Sequence, residues 1–323
     1  MAQAITAEQL NMIKTTLIAR FDAGLKLARE DYKKVAKIIA SSNKSNTYAW
    51  LAQFPSFVEW VGARQHKSIK EHAMQVVNRK FETTVDVLRE DIEDDNIGQY
   101  GTLAESAGIA AIDLKSDLVF QALANGFATA CYDGQYFFDS DHPVYPNVDG
   151  TGTATTVSNV QTGTGEPWVL LCTKRAASPI YLQERMAVQF DAITDVTNDT
   201  VFNYDKYSFG GRWRGAAAYG FWQCAFGSRA ELTAANFQAA YAAMVKCKAD
   251  GGRPLGIIPD LLVCGPDNQA AAEALLKAQQ NAAGATNINY NKVELFMSPW
   301  MVAPASSGSQ SESGGTDQEQ AGS

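Results

Sequence analysis

Apolar residues near the start of the chain recur at steps of three and four. Leu10, Ile13, Leu17 and Phe21 therefore share one face of a helix. Thr6-Ala7-Glu8-Gln9 ahead of them has the hydroxyl-to-amide spacing of a capping box. The same spacing runs on through Leu25, Ala28, Tyr32, Val35 and Ile39 and predicts a second helix beyond a bend at Gly24. Its other face would carry Lys26, Arg29, Lys33, Lys34 and Lys37. The pattern lapses over residues 41–56. There a polar loop is followed by aromatics at Tyr48, Trp50, Phe54, Phe57 and Trp60 around Pro55, a cluster suited to a core or an interface. Before residue 87 the period falls to two. Phe81, Thr83, Val85 and Val87 alternate with Lys80, Glu82, Thr84 and Asp86, which marks a strand with one buried face. Residues 57–69 are its expected antiparallel partner. An isolated two-stranded ribbon is marginal in water, so a projecting hairpin here needs another surface to lie on.

Residues 99–130 predict the longest helix, with Leu103, Ala107, Ala110, Leu114 and Leu118 as its apolar stripe and a length of ~40 Å or more. Asp133-Gly134 is a hairpin-turn signal, and the Gly- and Thr-rich stretch 148–165 reads as an exposed loop. Residues 166–226 are rich in β-branched and aromatic side chains and predict several strands. Gly210-Gly211-Arg212-Trp213-Arg214-Gly215 should break that set, with Trp213 buried in a turn between surface arginines. A helix is expected over 233–249, capped by Thr233 and ended by Gly251. Then come a buried strand over 257–264, a helix over 269–277 capped by Asp267, and a last strand over 293–297. Residues 303–323 contain little that could bury apolar surface and are expected to be a disordered tail. The mixture of helices and non-consecutive strands places the chain in the α+β class.

Composition narrows the function classes. Hydrophobic residues make up 46% of the 323 positions, enough for a substantial core. No apolar run approaches the ~20 residues of a membrane span, so no membrane role is expected. The first ten residues show no secretory leader. Five scattered cysteines without a CxxC pair predict reduced thiols in a cytosolic fold and no zinc site. Charge is uneven. Residues 1–80 hold 13 Lys/Arg and 6 Asp/Glu (+7), and residues 81–323 hold 14 and 29 (−15), which sum to the net −8. A basic front and an acidic body favour attraction between copies, or between the front and a polyanion.

The candidate chemistry is sparse. GxSxG, HExxH, Walker A and GxGxxG patterns are all missing. Asp139, Asp141 and His142 could form a metal or acid/base cluster, or an Asx-type turn set by Pro143. The run Glu90, Asp91, Glu93, Asp94 and Asp95 exceeds what a helix N-terminus calls for, since each carboxylate there contributes only ~0.3–1 kcal/mol. It is the first candidate for a docking patch, opposite the basic residues Arg64, Lys67, Lys70, Arg79 and Lys80. No catalytic residue, metal ligand or cofactor is assigned. The missing motifs favour self-assembly, with two alternatives: a metal-dependent hydrolase centred on Asp139, Asp141 and His142, or a DNA-binding protein using the basic N-terminal helix.

An ordered set of segments resembles the major head (capsid) subunits of Mu-like phages and prophages. They are Tyr132-Asp133-Gly134-Gln135 running into Phe137-Phe138-Asp139-Ser140-Asp141-His142-Pro143; Glu166-Pro167-Trp168-Val169-Leu170-Leu171; Tyr204-Asp205-Lys206-Tyr207 and Tyr219-Gly220-Phe221-Trp222-Gln223; Ile258-Pro259-Asp260-Leu261-Leu262-Val263; and the close at 293–300. The resemblance spans roughly residues 5–302. It implies the Hong Kong ninety-seven type capsid fold, with an N-terminal arm (1–55), an extended loop over a neighbour (56–87), a peripheral domain with a spine helix (88–130 and 171–226) and a mainly axial domain (131–170 and 227–302). It further implies a homo-oligomeric icosahedral shell of hexamers and pentamers around double-stranded DNA of a tailed phage, assembled in the bacterial cytoplasm. The implied partners are a scaffold or protease, a portal and a decoration protein.

Overall fold

The computed structural model describes residues 6–48, 74–93, 98–193, 205–281 and 283–301. The aromatic cluster from Trp50 to Trp60, residues 57–69, the candidates Arg64, Lys67, Lys70, Asp94 and Asp95, and the tail 303–323 lie outside them.

Helix α1 (Ala7–Leu27) starts as its sequence dictates. Gln9 N–H donates to Thr6 Oγ1 at 3.2 Å, and Thr6 N–H donates to Gln9 Oε1 at 2.9 Å, closing the capping box. Leu10, Ile13, Leu17 and Phe21 are all buried, as the spacing requires. The second predicted helix does not form. Residues Asp31–Lys34 make a single 3-10 turn, and Ala36–Ala40 is strand β1. The three-and-four spacing there was fortuitous, because β1 gains its hydrogen bonds from a strand some 140 residues away, pairing Ala36 with Ile180.

Ser45–Tyr48 (β2) and Met74–Val77 (β3) form an antiparallel ribbon that brings Tyr48 opposite Met74. After Asn78 the chain enters β4 (Arg79–Leu88), a short helix α2 (Arg89–Glu93) and the long α3 (Gly98–Asn125). β4 is a strand as predicted, and its partner among the described residues is β10 (Lys206–Tyr219), from Leu88 opposite Lys206 to Arg79 opposite Gly215. With β9 (Ile180–Ile193) these strands complete a sheet ordered β1-β9-β10-β4. Gly210–Gly215 lies inside β10 rather than in a turn. Trp213 is buried as expected, but in mid-strand, opposite Phe81 of β4 and near its ring at 5.5 Å.

The buried face of α3 differs from the predicted stripe. Ala104, Gly108, Ile112, Lys115, Val119, Phe120 and Leu123 are inside; of the predicted stripe Ala107 is buried, Leu114 and Leu118 are half-buried, and Leu103 and Ala110 are exposed. Small residues face α1 because the helices approach closely, and Lys115 enters the core because a carboxylate meets it: its Nζ lies 3.0 Å from Glu184 Oε2.

A second sheet has the order β13-β12-β8-β11-β7. Its strands are β7 (Val160–Gln161), β8 (Trp168–Leu171), β11 (Ala225–Ser228), β12 (Leu261–Cys264) and β13 (Glu294–Met297). Strands β8, β11 and β12 are buried throughout, which explains their continuous apolar runs. Beside this sheet are α4 (Ala234–Val245), capped by Thr233 Oγ1, and α5 (Gln269–Leu276). Asp267 does not cap α5. The Glu166 carboxylate, some hundred residues earlier, accepts from Asn268 N–H at 3.0 Å instead. A small ribbon of β5 (His142–Val144) and β6 (Thr155–Val157) follows the turn at Gly134, whose φ of +90° suits only glycine without strain.

Polar side chains fasten the root of the β2–β3 ribbon to the first sheet. Gln183 is fully buried. Its Oε1 accepts from the Tyr48 hydroxyl at 2.6 Å, and its Nε2 donates to Asn78 Oδ1 at 2.7 Å. Asn78 Nδ2 in turn donates to Ser41 Oγ at 2.9 Å. Gln183→Leu removes the centre of this network, and each interrupted buried polar group costs ~1–3 kcal/mol. The expected result is a loss of about 30-fold in amide-exchange protection in β2 and β3 with α4 and α5 unchanged. Unaltered protection in the ribbon would show that Gln183 does not anchor it.

Candidate assembly surfaces and the buried histidine cluster

The strand β4 carries basic residues at one end and acidic residues beyond the other. Arg79 and Lys80 open it, both exposed; the Arg79 guanidinium lies 5.0 Å from the Phe81 ring centre, and Lys80 Nζ is 3.6 Å from Glu82 on the same strand. An exposed pair of this kind contributes only ~0–1 kcal/mol, so it does not commit Lys80 to its own subunit. At the far end the chain turns directly into α2 with Glu90, exposed, and Asp91, which accepts a hydrogen bond from the Tyr100 hydroxyl and so joins α2 to α3. Glu93 closes α2. At ~3.3 Å per residue the two charged ends stand roughly 30 Å apart on one continuous strand. Between α1, α3 and the first sheet opens a cleft of about 290 Å³, lined by Phe21, Phe81, Ala107, Leu114, Val188 and Trp213.

The basic residues of the predicted N-terminal helix do not form a common face. Arg29 pairs with Asp31 at 3.2 Å, Lys33 with Glu30 at 2.6 Å and Lys34 with Glu294 at 3.4 Å, while Lys37 Nζ donates to the carbonyls of Arg175 and Ala176. The helix that would have aligned them for a polyanion does not form over Asp31–Ala40.

His142 does not converge with Asp139 and Asp141. The Asp139 carboxylate accepts from the backbone N–H groups of Tyr136 (3.0 Å) and Ser140 (2.7 Å), three residues before and one after it rather than the bond two residues on that defines an Asx turn, and Asp141 is exposed beside it. His142 is fully buried and points elsewhere. Its Nδ1 lies 2.8 Å from Asp133 Oδ2, its Nε2 lies 3.2 Å from Asn159 Oδ1, and its ring stacks on Trp222 at 4.0 Å. Asn159 has no freedom to turn over, because its Nδ2 faces the carbonyls of Phe137, Trp222 and Ala225. Cys131 Sγ donates to Asp133 Oδ1 at 3.0 Å. Burial pushes the Asp133 carboxyl upward, but the bonds from His142 and Cys131 outweigh it and hold the group below the usual carboxylate range. Burial, reinforced by that carboxylate, pushes the Cys131 thiol up. Sequence reasoning missed Cys131, Asp133 and Asn159 as partners of His142. Only the Asp133-Gly134 turn signal hinted that the chain doubles back there.

Comparisons with known proteins agree with one another. The family model of the Mu-like prophage major head subunit gpT matches residues 10–301. The chain is 39% identical over 288 residues to the major capsid protein of Escherichia phage Mu, covering 88% of this chain and 94% of that one. Among solved structures, the procapsid of bacteriophage JBD30 aligns with a TM-score of 0.82 at 45% identity, covering 92% of this chain and all of that one. The JBD30 capsid aligns with a TM-score of 0.70 at 38% identity, covering 84% and 90%. The phage capsid fold implied by the sequence resemblance is thus shown, and neither the hydrolase nor the DNA-binding alternative is supported. The chain belongs to the family of Mu-like prophage major head subunits, and it is a structural protein, the major capsid subunit of a phage head.

Proposed function

We propose that copies of this subunit close into an icosahedral shell of hexamers and pentamers around double-stranded DNA, assembled in the bacterial cytoplasm with a scaffold or protease and a portal. The observation that carries the shell reading is the alignment with capsid and procapsid subunits over nearly the whole chain. We assign the first sheet and α3 to the peripheral layer and the second sheet with α4 and α5 to the axial one. In this reading Arg79 and Lys80, together with Arg64, Lys67 and Lys70, dock on a neighbour's Glu90, Asp91, Glu93, Asp94 and Asp95. Exposed ion pairs set register and salt sensitivity. Apolar contacts, Trp60 and Ile69 among them, carry most of the affinity.

The test is electron microscopy of the expressed protein beside an Arg79→Glu/Lys80→Glu variant. The wild type should give closed shells of regular outline. The variant should remain as subunits that light scattering finds small and circular dichroism finds folded. Intact variant shells would reject the docking partners alone, whereas a wild type that stays monomeric under all assembly conditions, helper proteins included, would reject the capsid function.

A further inference from the structure

Cys131, Asp133 and His142 bring three metal-binding atoms of different kinds within 4.8 Å of one another. The turn at Gly134 folds the chain so that Cys131 and Asp133 meet His142 at the start of β5, and the ring is held in place by its stack on Trp222. We propose that Cys131 Sγ, the Asp133 carboxylate and His142 Nδ1 form a zinc site in this subunit, one that no feature of capsid assembly requires.

The donor set selects the ion. A thiolate and an imidazole suit zinc and disfavour calcium or magnesium, which take oxygen ligands. The nitrogen that does not face the site is already committed, since Nε2 meets Asn159 Oδ1 at 3.2 Å. That oxygen can only accept, because the amide nitrogen of Asn159 is fixed on three carbonyls. Nε2 must therefore carry a proton, which leaves Nδ1 as the coordinating atom. An outer hydrogen bond on the second imidazole nitrogen is the usual companion of a histidine ligand.

Asp133 lies in the turn beside Gly134, with 9% of its side chain exposed. Bound zinc would fasten the turn that follows α3 to β5.

The experiment measures zinc by plasma mass spectrometry in full-length protein equilibrated with zinc sulfate and then desalted. The expected content is about one ion per subunit, falling to less than about a tenth in Cys131→Ser and Asp133→Asn. Cys172→Ser, at a buried thiol outside the cluster, should keep the ion. Cobalt(II) in place of zinc should give a thiolate-to-metal absorption band that Cys131→Ser lacks. Protein that retains no zinc overturns the proposal, and so does zinc held equally by wild type and Cys131→Ser.

Discussion

Gly108→Val should separate α1 from α3 and destabilise the subunit by more than ~3 kcal/mol. The two helices cross where Gly24 meets Gly108. A Cβ built on Gly108 would lie 2.2 Å from Phe21 O, and one on Gly24 would lie 2.0 Å from Glu105 O. Both obstacles are backbone, so no side-chain rotation can relieve them. The helices would have to part by more than an ångström, loosening the cluster of Leu17, Phe21, Ala104 and Ala107 between them. Overpacking a tight contact costs about 1–3 kcal/mol for one or two added carbons and more when backbone must move. Helix propensity argues the other way, because alanine in a helix interior is favoured over glycine by about 1 kcal/mol. Gly108→Ala therefore decides which effect wins. We expect a net loss of about 2 kcal/mol in urea denaturation of dissociated subunits. A Gly108→Ala subunit as stable as wild type, or more so, would show that the crossing is not as close as the structure places it.

Lys115→Met should cost about 3 kcal/mol, and adding Glu184→Leu should restore most of it. Lys115 is buried on α3 with its Nζ 3.0 Å from Glu184 Oε2 and 5.5 Å from the Trp213 ring centre. Removing one member of a buried pair strands the other charge, which costs about 3–5 kcal/mol. The lower end applies because 19% of the Glu184 side chain stays exposed. Replacing both members leaves apolar contacts in a mostly apolar setting, often at little net loss. The same urea titration reads both variants. A double variant no better than Lys115→Met would mean that the lysine acts through its stem and its aromatic neighbours rather than through the carboxylate.

Lys115 also shows why part of the fold was illegible. A lysine in a helical pattern marks the solvent side unless its partner is known, and Glu184 lies on a strand 69 residues away. The predicted stripe therefore caught Ala107 and the half-buried Leu114 and Leu118 but missed the centre of the buried face. Helix α1 was legible because its cap and its stripe are both local, and β4 because one face is buried and the alternation survives. Strand β1 was not, since its pairing with β9 is distant and its residues happen to recur at helical steps. The histidine cluster joins residues at 131, 133, 142, 159 and 222, and no spacing rule connects those positions. Arg79, Lys80, Glu90 and Asp91 were identifiable as charged runs. Their placement at opposite ends of one strand was legible too, because the alternation from Lys80 to Val87 runs unbroken between them.

That continuity makes β4 a measuring rod. Under the docking proposed for its two ends, the offset between neighbouring copies would be a multiple of a fixed backbone rise, which rotamer freedom would not blur as it would in a loop. Adding one residue to the rod would turn its inner face outward, while adding two would preserve the faces and lengthen it by ~7 Å. Shell curvature would then be written in units of residue pairs, a coarse alphabet that favours a few discrete particle sizes over a continuum.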